Sequence, residues 1–117
     1  MADDFALKDG DTVVFLGDSL TAARTYGKII ENYTLLRFPE RKIKFFNAGF
    51  GGDTAAGGAK RLERDVFSVG ATVVTVAFGT NDIGWGVLAD DAHKQAYLDG
   101  IRSIVTQCGS RGVRVYI

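Results

Sequence analysis

Three short segments of the chain contain the residue types that acyl transfer requires. They are Gly17–Leu20 (GDSL), Asn47–Thr54 (NAGFGGDT) and Gly79–Asp82 (GTND). A serine hydroxyl attacks a carbonyl carbon when a neighbouring base activates it. Backbone N–H groups of a glycine loop and an asparagine amide can then donate hydrogen bonds to the oxyanion without adding a charge. Ser19 and Asn81 are therefore candidates for nucleophile and oxyanion donor.

Each segment by itself also has a purely structural interpretation. Gly17–Ser19 could form a strand-to-helix turn with a capping serine. Gly51–Asp53 could be a turn that needs a positive φ, followed by a helix cap at Asp53 or Thr54. Asn81 and Asp82 could form an Asx turn. The spacing within one segment does not decide between these interpretations, so the elements that position the segments matter.

Strand and helix signals alternate along the chain and predict one α/β domain over residues 1–117. The strongest strand signal, ATVVTVAF, is β-branched and apolar on both faces, as in a central parallel strand. The order β-α-β-α-β-α-β implies a parallel sheet with helices on both faces. The predicted strands are Thr12–Leu16, Lys42–Phe46, Ala71–Phe78 and Val113–Ile117, and the predicted helices are Tyr26–Leu36, Thr54–Val66 and one from Asp90 or Asp91 to near Gly109.

The three polar segments each follow one of the first three predicted strands. Parallel strands end at the same edge of a sheet, and ligands bind at that edge. The fold therefore predicts that Ser19, Gly52 and Asn81 lie in one neighbourhood.

Together, in this order and behind these strands, the segments resemble three blocks of the SGNH hydrolase superfamily of GDSL-type esterases and lipases. The resemblance extends from Val13 to Ile117. It implies a three-layer α/β/α, flavodoxin-like fold with strand order 2-1-3-4-5. It also implies that the substrate is a small-molecule ester or an acylated carbohydrate, and that no cofactor or metal takes part.

The resemblance also implies roles for individual residues. Ser19 Oγ would be the nucleophile, and the backbone N–H groups of Ser19 and Gly52 with the Asn81 amide would surround a point about 3 Å from each donor, where the oxyanion sits. Asp18 and Trp85 are the candidates for substrate contacts. Trp85 could line an acyl or sugar subsite, or it could pack its loop down.

The chain departs from the family pattern at the base. The family takes its activating histidine from a late D-x-x-H block after the fifth strand, so the catalytic Asp and His are expected beyond residue 117. Asp90–His93 (DDAH) matches the string, but it begins only nine residues after Asn81. We interpret Asp90 and Asp91 as helix caps and His93 as a surface residue that is not the base.

Without a base, the alternative to an esterase is a catalytically inactive module that binds an acyl group or an acetylated carbohydrate. A flavodoxin-like phosphate binder is a more distant alternative. The fold is expected to be incomplete after its fourth strand, so that the edge of Val113–Ile117 invites pairing with another chain or with a C-terminal fragment.

Composition excludes several other classes. Fourteen basic residues balance fourteen acidic ones, and no basic run indicates a nucleic-acid partner. The longest apolar runs lie near Thr72–Phe78 and are shorter than the ~18 residues of a membrane span. One Cys and one His cannot build a structural zinc site. The acidic start, MADD, is unlike a signal peptide, which favours a cytoplasmic protein or a mature secreted domain.

Overall fold

The computed structural model describes residues 5–117, which form a parallel four-stranded sheet in the order β2-β1-β3-β4. Residues 1–4, which carry the signal-peptide argument, lie outside the described residues. This order matches the predicted order over its first four strands, and the predicted α/β fold class is confirmed. The strands are β1 (Thr12–Gly17), β2 (Lys44–Gly49), β3 (Val73–Ala77) and β4 (Arg114–Tyr116).

Four α-helices connect these strands, and each of the three longer ones lies between two successive strands. The helices are α1 (Ser19–Ala22), α2 (Thr25–Arg37), α3 (Ala55–Lys60) and α4 (Asp91–Ser110). A π-helical turn at Glu63–Phe67 follows α3, and a 3-10 turn at Gly84–Gly86 precedes α4. The sequence did not indicate α1, which is only one turn long.

Two predicted elements differ from the structure by more than two residues at one of their ends. The helix predicted over Thr54–Val66 is divided, because α3 ends at Lys60 and a π-helical turn replaces its second half. The second strand lies later than Lys42–Phe46, because residues 47–49 pair in register with residues 15–17 of β1. Lys42 instead lies before the strand, where its N–H donates to Asp9 Oδ1 at 2.6 Å and its carbonyl oxygen accepts from the N–H of Gly10 at 3.0 Å.

The two central strands bury side chains on both faces, as the continuous apolar sequences predicted. Leu16 of β1 and Val74 of β3 face α3 and α4, where they pack with Leu62, Ile104 and Cys108. Burial raises the pKa of the Cys108 thiol, which is the behaviour of an inert core cysteine. The packing of α3 on α4 is close, because a Cβ at Gly100 would lie 2.7 Å from the backbone nitrogen of Ala56.

The opposite face of the sheet carries α2 and a smaller group of buried residues. Phe15 of β1 stacks on Phe45 with ring centroids 5.9 Å apart and meets the edge of Tyr26 at 5.8 Å. A Cβ at Gly27 would lie 3.1 Å from the Phe15 ring, so this glycine lets α2 approach the sheet. Helices therefore cover both faces, and the loops are left at the two ends of the strands.

The amino-terminal edge of the sheet is closed by Asp11, which is buried just before β1. Arg114 Nη2 donates to Asp11 Oδ2 at 2.7 Å, and Thr72 Oγ1 donates to Asp11 Oδ1 at 2.7 Å. The N–H of Lys8 also donates to Oδ2 at 2.7 Å. One carboxylate thus joins the starts of β1, β3 and β4 at the edge opposite the three polar segments.

Candidate active site

The nucleophile candidate lies in a tight turn between β1 and α1. Asp18 is the N-cap of α1, and its Oδ1 accepts a hydrogen bond of 3.0 Å from the N–H of Leu20. Ser19 is the first residue of α1 and is exposed, so its N–H lacks an acceptor within the helix. A Cβ at Gly17 would collide with the Thr21 hydroxyl and the Ala77 carbonyl oxygen, so only glycine permits this close turn.

Asp18 itself contacts backbone rather than open solvent. It is 3% exposed, and its carboxylate oxygen is used by the helix cap. The structure therefore gives the Asp18 side chain a role in shaping the turn that presents Ser19. A substrate contact by Asp18 stays a prediction.

The glycine loop after β2 lies directly against this turn. The N–H of Phe50 donates to the Gly17 carbonyl oxygen at 3.0 Å, and a Cβ at Gly51 would lie 4.0 Å from Ser19 Cβ. The N–H of Asp53 closes a β-turn on the Phe50 carbonyl oxygen at 3.1 Å. Gly52 occupies the third position of this turn with φ +79°, a conformation that favours glycine.

The third segment is attached to the glycine loop by two side chains. Asn81 Nδ2 donates to the Asp53 carbonyl oxygen at 2.9 Å. The N–H of Ala55 donates to both oxygens of the Asp82 carboxylate, to Oδ1 at 3.0 Å and to Oδ2 at 3.3 Å. A carboxamide nitrogen carries two hydrogens, and one of them fixes the Asn81 amide to the loop. Donation of the other hydrogen to a substrate oxygen stays a prediction.

Sequence reasoning missed the role of Asp82. From a loop distant in the chain, its carboxylate accepts a hydrogen bond from the first N–H of α3. Its proximity to Asn81 suggested only a local turn. The residue is buried at 9% exposure, and its partner Ala55 is separated from it by 27 positions. No local pattern indicates such a pairing.

Arg61 is the second residue that sequence reasoning missed, and it contacts two of the three polar segments. Its Nε donates to Asp53 Oδ2 at 2.7 Å and its Nη1 to the Ala48 carbonyl oxygen at 2.8 Å. Nη1 also donates to Asp65 Oδ2 at 2.8 Å, and Nη2 donates to the Gly17 carbonyl oxygen at 3.0 Å. The side chain is only 12% exposed.

Asp65 has a shifted titration because of two neighbouring arginines. The hydrogen bond from Arg64 lowers the pKa of Asp65, burial opposes that effect, and the hydrogen bond from Arg61 adds to the lowering. The Asp65 carboxylate is therefore charged at neutral pH and partners the Arg61 guanidinium.

The loop after Asn81 holds Trp85 in an exposed position. Trp85 lies in the 3-10 turn with φ +60°, and the residue is 77% exposed. This exposure does not fit the interpretation that the indole packs the loop down. Contact of Trp85 with an acyl or sugar group stays a prediction.

The D-x-x-H string forms a helix cap, as predicted. Asp90 is the N-cap of α4, and its Oδ1 accepts the N–H of His93 at 2.8 Å and lies 2.7 Å from His93 Nδ1. The backbone and side-chain hydrogen bonds of His93 lower the pKa of Asp90. His93 thus lies in the first turn of α4, partly exposed, with Asp90 as its partner.

Two further features are absent from residues 5–117. No group of three or more His, Cys, Asp or Glu side chains in this part of the chain could hold a metal ion. No helix within the same residues has the length and apolarity needed to cross a bilayer.

The geometry brings the three predicted segments together at the carboxyl edge of the sheet. Gly51 lies near Ser19, since a Cβ added at Gly51 would be 4.0 Å from Ser19 Cβ, and Asn81 binds the residue that follows Gly52. The common point about 3 Å from all three donors stays a prediction. An exposed serine at a strand end, beside a glycine loop and an oriented asparagine amide, is the arrangement that the predicted roles of Ser19, Gly52 and Asn81 require.

The chain belongs to the GDSL-like lipase/acylhydrolase family, whose model matches residues 15–117. The matched range includes all three segments, and the predicted superfamily is confirmed. No curated protein matches the chain.

Solved structures of similar proteins give the same fold. A gut microbial diltiazem-metabolizing enzyme is 36% identical with a TM-score of 0.80, over 93% of this chain and 26% of that one. The acetylxylan esterase Axe2 of Geobacillus stearothermophilus is 22% identical with a TM-score of 0.79, over 95% and 60%. A GDSL-like lipase of Bacteroides thetaiotaomicron is 20% identical with a TM-score of 0.68, over 90% and 46%. The chain thus spans between about a quarter and three fifths of these proteins.

Proposed function

We propose that this chain carries the nucleophile and oxyanion site of a serine ester hydrolase that acts on acyl esters of small molecules or carbohydrates. The observation that carries the proposal is the Asn81 amide, which is fixed by the Asp53 carbonyl oxygen beside Gly52. Ser19 lies beside the same loop, since a Cβ added at Gly51 would be 4.0 Å from Ser19 Cβ. A nucleophile and oriented, uncharged donors are what acyl transfer needs.

In the proposed reaction, Ser19 Oγ attacks the ester carbonyl carbon while a base takes the hydroxyl proton. The carbonyl oxygen becomes an oxyanion held by the Ser19 N–H, the Gly52 N–H and the Asn81 amide. Collapse of this intermediate expels the alcohol, which receives the proton, and leaves an acyl group on Ser19. Water then attacks the acyl-enzyme by the same route and releases the carboxylic acid.

The base is proposed to come from a segment outside residues 1–117. The chain has one histidine, and its Nδ1 is paired with Asp90 on α4. In serine hydrolases the loss of the base costs on the order of 10⁶ in turnover, while oxyanion hole and binding retain roughly 10³–10⁴ over water. Residues 1–117 alone should therefore be a weak catalyst or an inactive module that binds acyl groups.

Two features support the choice of substrate and partner. Axe2 is by name an acetylxylan esterase, and the exposed Trp85 offers a flat apolar surface of the kind that stacks on sugars.

At the sheet edge, β4 leaves one side without a strand partner among residues 5–117, and Ile117 is 72% exposed. We propose that this edge pairs with a C-terminal fragment or with a second chain.

The test measures hydrolysis of p-nitrophenyl acetate and of acetylated xylooligosaccharides, both by the full-length protein that carries this chain and by residues 1–117 alone. The native mass of residues 1–117 is measured as well. Ser19→Ala should abolish burst and turnover, whereas Ser110→Ala, an exposed serine at the end of α4, should leave both unchanged. Activity that survives Ser19→Ala would refute the proposed nucleophile. A monomer of residues 1–117 with full turnover would refute the external base and the pairing edge.

A further inference from the structure

One side chain joins the end of β1, the end of β2 and the glycine loop. Arg61 reaches the carbonyl oxygens of Gly17 and Ala48, which end neighbouring strands, and the carboxylate of Asp53, which follows Gly52. Gly17 lies two residues before Ser19. Asn47 also joins these two regions, because its Nδ2 donates to the Thr21 carbonyl oxygen of α1 at 2.8 Å and its Oδ1 accepts from the N–H of Gly49 at 3.0 Å.

We propose that Arg61 is a positioning residue that sets the separation between the nucleophile turn and the glycine loop, an inference that rests on the proposed esterase function. Through Nη2 it holds the turn that presents Ser19, and through Nε it holds the loop that presents Gly52. Its hydrogen bonds go to acceptors of the protein itself.

The contact between Arg61 and Asp53 also affects Asn81, the third proposed oxyanion donor. Asp53 uses its carboxylate for Arg61 and for the N–H of Thr54, and uses its carbonyl oxygen for the Asn81 amide. A shift of Asp53 therefore displaces Gly52 and Asn81 together. A misplacement of about 1 Å at a reacting centre costs on the order of 10²-fold in rate, so one distant contact can control the whole oxyanion site.

The chemistry of the contact requires an arginine. The guanidinium is a planar group with five donors, whereas a lysine ammonium is a compact charge on a flexible stem. Arg61 uses its fork on two carbonyl oxygens and two carboxylates that lie in different directions. It is also largely buried, so a side chain that leaves any of these acceptors unpaired will disturb the loops.

Arg114 provides the matched control, because it is also an arginine that joins separate elements through a buried aspartate. It pairs with Asp11 at the opposite edge of the sheet, away from the three segments. The experiment compares Arg61→Lys with Arg114→Lys in the full-length protein. It measures kcat and KM for p-nitrophenyl acetate, and the hydrogen exchange of two loop amides. The Phe50 amide bonds the Gly17 carbonyl oxygen of the nucleophile turn, and the Asp53 amide bonds the Phe50 carbonyl oxygen within the loop.

Arg61→Lys should lower kcat by about 10²-fold and change KM much less, because the loss lies in alignment. It should also accelerate exchange of the Phe50 and Asp53 amides by about tenfold, the effect of losing one hydrogen bond to a charged group. The amides of β3 should exchange as in the wild type. Arg114→Lys should leave kcat and both loop amides unchanged.

The proposal is overturned if the Phe50 and Asp53 amides of Arg61→Lys exchange as in the wild type. It is also overturned if these amides exchange faster while kcat of an active enzyme stays unchanged. An equal effect of Arg114→Lys also overturns it, since general destabilisation would then explain the result. If the wild type hydrolyses no ester but Arg61→Lys still loosens the two amides, the positioning role stands and the esterase proposal fails. If Arg61→Lys does not fold, Asp53→Asn supplies the same readouts with a weakened Nε contact.

Discussion

The two edges of the sheet are each tied by an arginine and an aspartate, yet they differ in what the pair holds. At the amino edge, Arg114 and Asp11 join strand starts whose backbone donors are all taken, and Thr12 and Thr72 exchange further hydrogen bonds there. At the carboxyl edge, Arg61 holds the turn before Ser19, which is the first residue of α1, and the glycine loop, which the Asn81 amide also binds.

This difference shows where a site can form in a fold of this kind. A donor that is already paired cannot stabilise a developing charge, whereas the first N–H of a helix and the second hydrogen of a fixed amide can. We therefore expect the amino edge to contribute stability and the carboxyl edge to contribute chemistry as well. The three predictions below separate these two contributions.

The largest effect is expected at the carboxyl edge from Asn81→Ala in the full-length protein. Loss of one oxyanion donor should lower kcat for p-nitrophenyl acetate by about 10²–10³-fold. The fold should persist, because the change removes only the hydrogen bond to the Asp53 carbonyl oxygen. Asn32→Ala, at an exposed position of α2, is the control and should match the wild type. An unchanged kcat in Asn81→Ala would mean that the edges do not differ as described.

A smaller effect, on stability alone, is expected at the amino edge from Asp11→Asn. Burial alone would raise the pKa of Asp11, but hydrogen bonds from Arg114, Lys8 and Thr72 outweigh it and hold the pKa below its usual value. The charged form is therefore favoured by folding. Because Arg114 is 43% exposed, solvent screening reduces the loss in unfolding free energy at neutral pH to about 1 kcal/mol.

The pH dependence of this loss checks its cause. A carboxylate with a lowered pKa in the folded state contributes stability that is fully present above its unfolded pKa of about 3.9 and is lost as the pH falls through the folded pKa. Urea unfolding of wild type and Asp11→Asn should thus differ at pH 7 and converge below about pH 4. A difference that stays constant with pH would mean that packing and not charge holds this edge, and a fall in kcat would mean that the edge is not purely structural.

The smallest effect is expected from His93→Ala, which alters the one histidine of the chain at the start of α4. Its partner is Asp90, and both side chains are well exposed, so the unfolding free energy should change by no more than about 0.5 kcal/mol. Ester hydrolysis should be unchanged across the pH range. Loss of hydrolysis with the fold intact would identify His93 as the base and would move the catalytic machinery entirely within residues 1–117.

Much of this arrangement could be predicted from the sequence because it depends on local patterns. The apolar β-branched run around β3 predicts a buried parallel strand, and parallel strands place their following loops at one edge. Asp90 was identified as a helix cap because capping involves residues only three positions apart. The shared edge of Ser19, Gly52 and Asn81 follows from these local signals together with the direction of the strands.

Other features were decided only by the tertiary structure, because they depend on groups that are far apart in the chain. The bounds of β2 follow from its register with β1 and not from its own apolar pattern. Arg61 and the Gly17 carbonyl are 44 positions apart, and Asp82 and Ala55 are 27 apart. A charged residue near a helix end usually indicates a solvated surface, so nothing in the sequence distinguishes Arg61 from its exposed neighbour Arg64. The sequence by itself determined which residues meet at the carboxyl edge, and the folded chain decided which side chain holds them at their working distance, since such a contact exists only after the loops have been brought together.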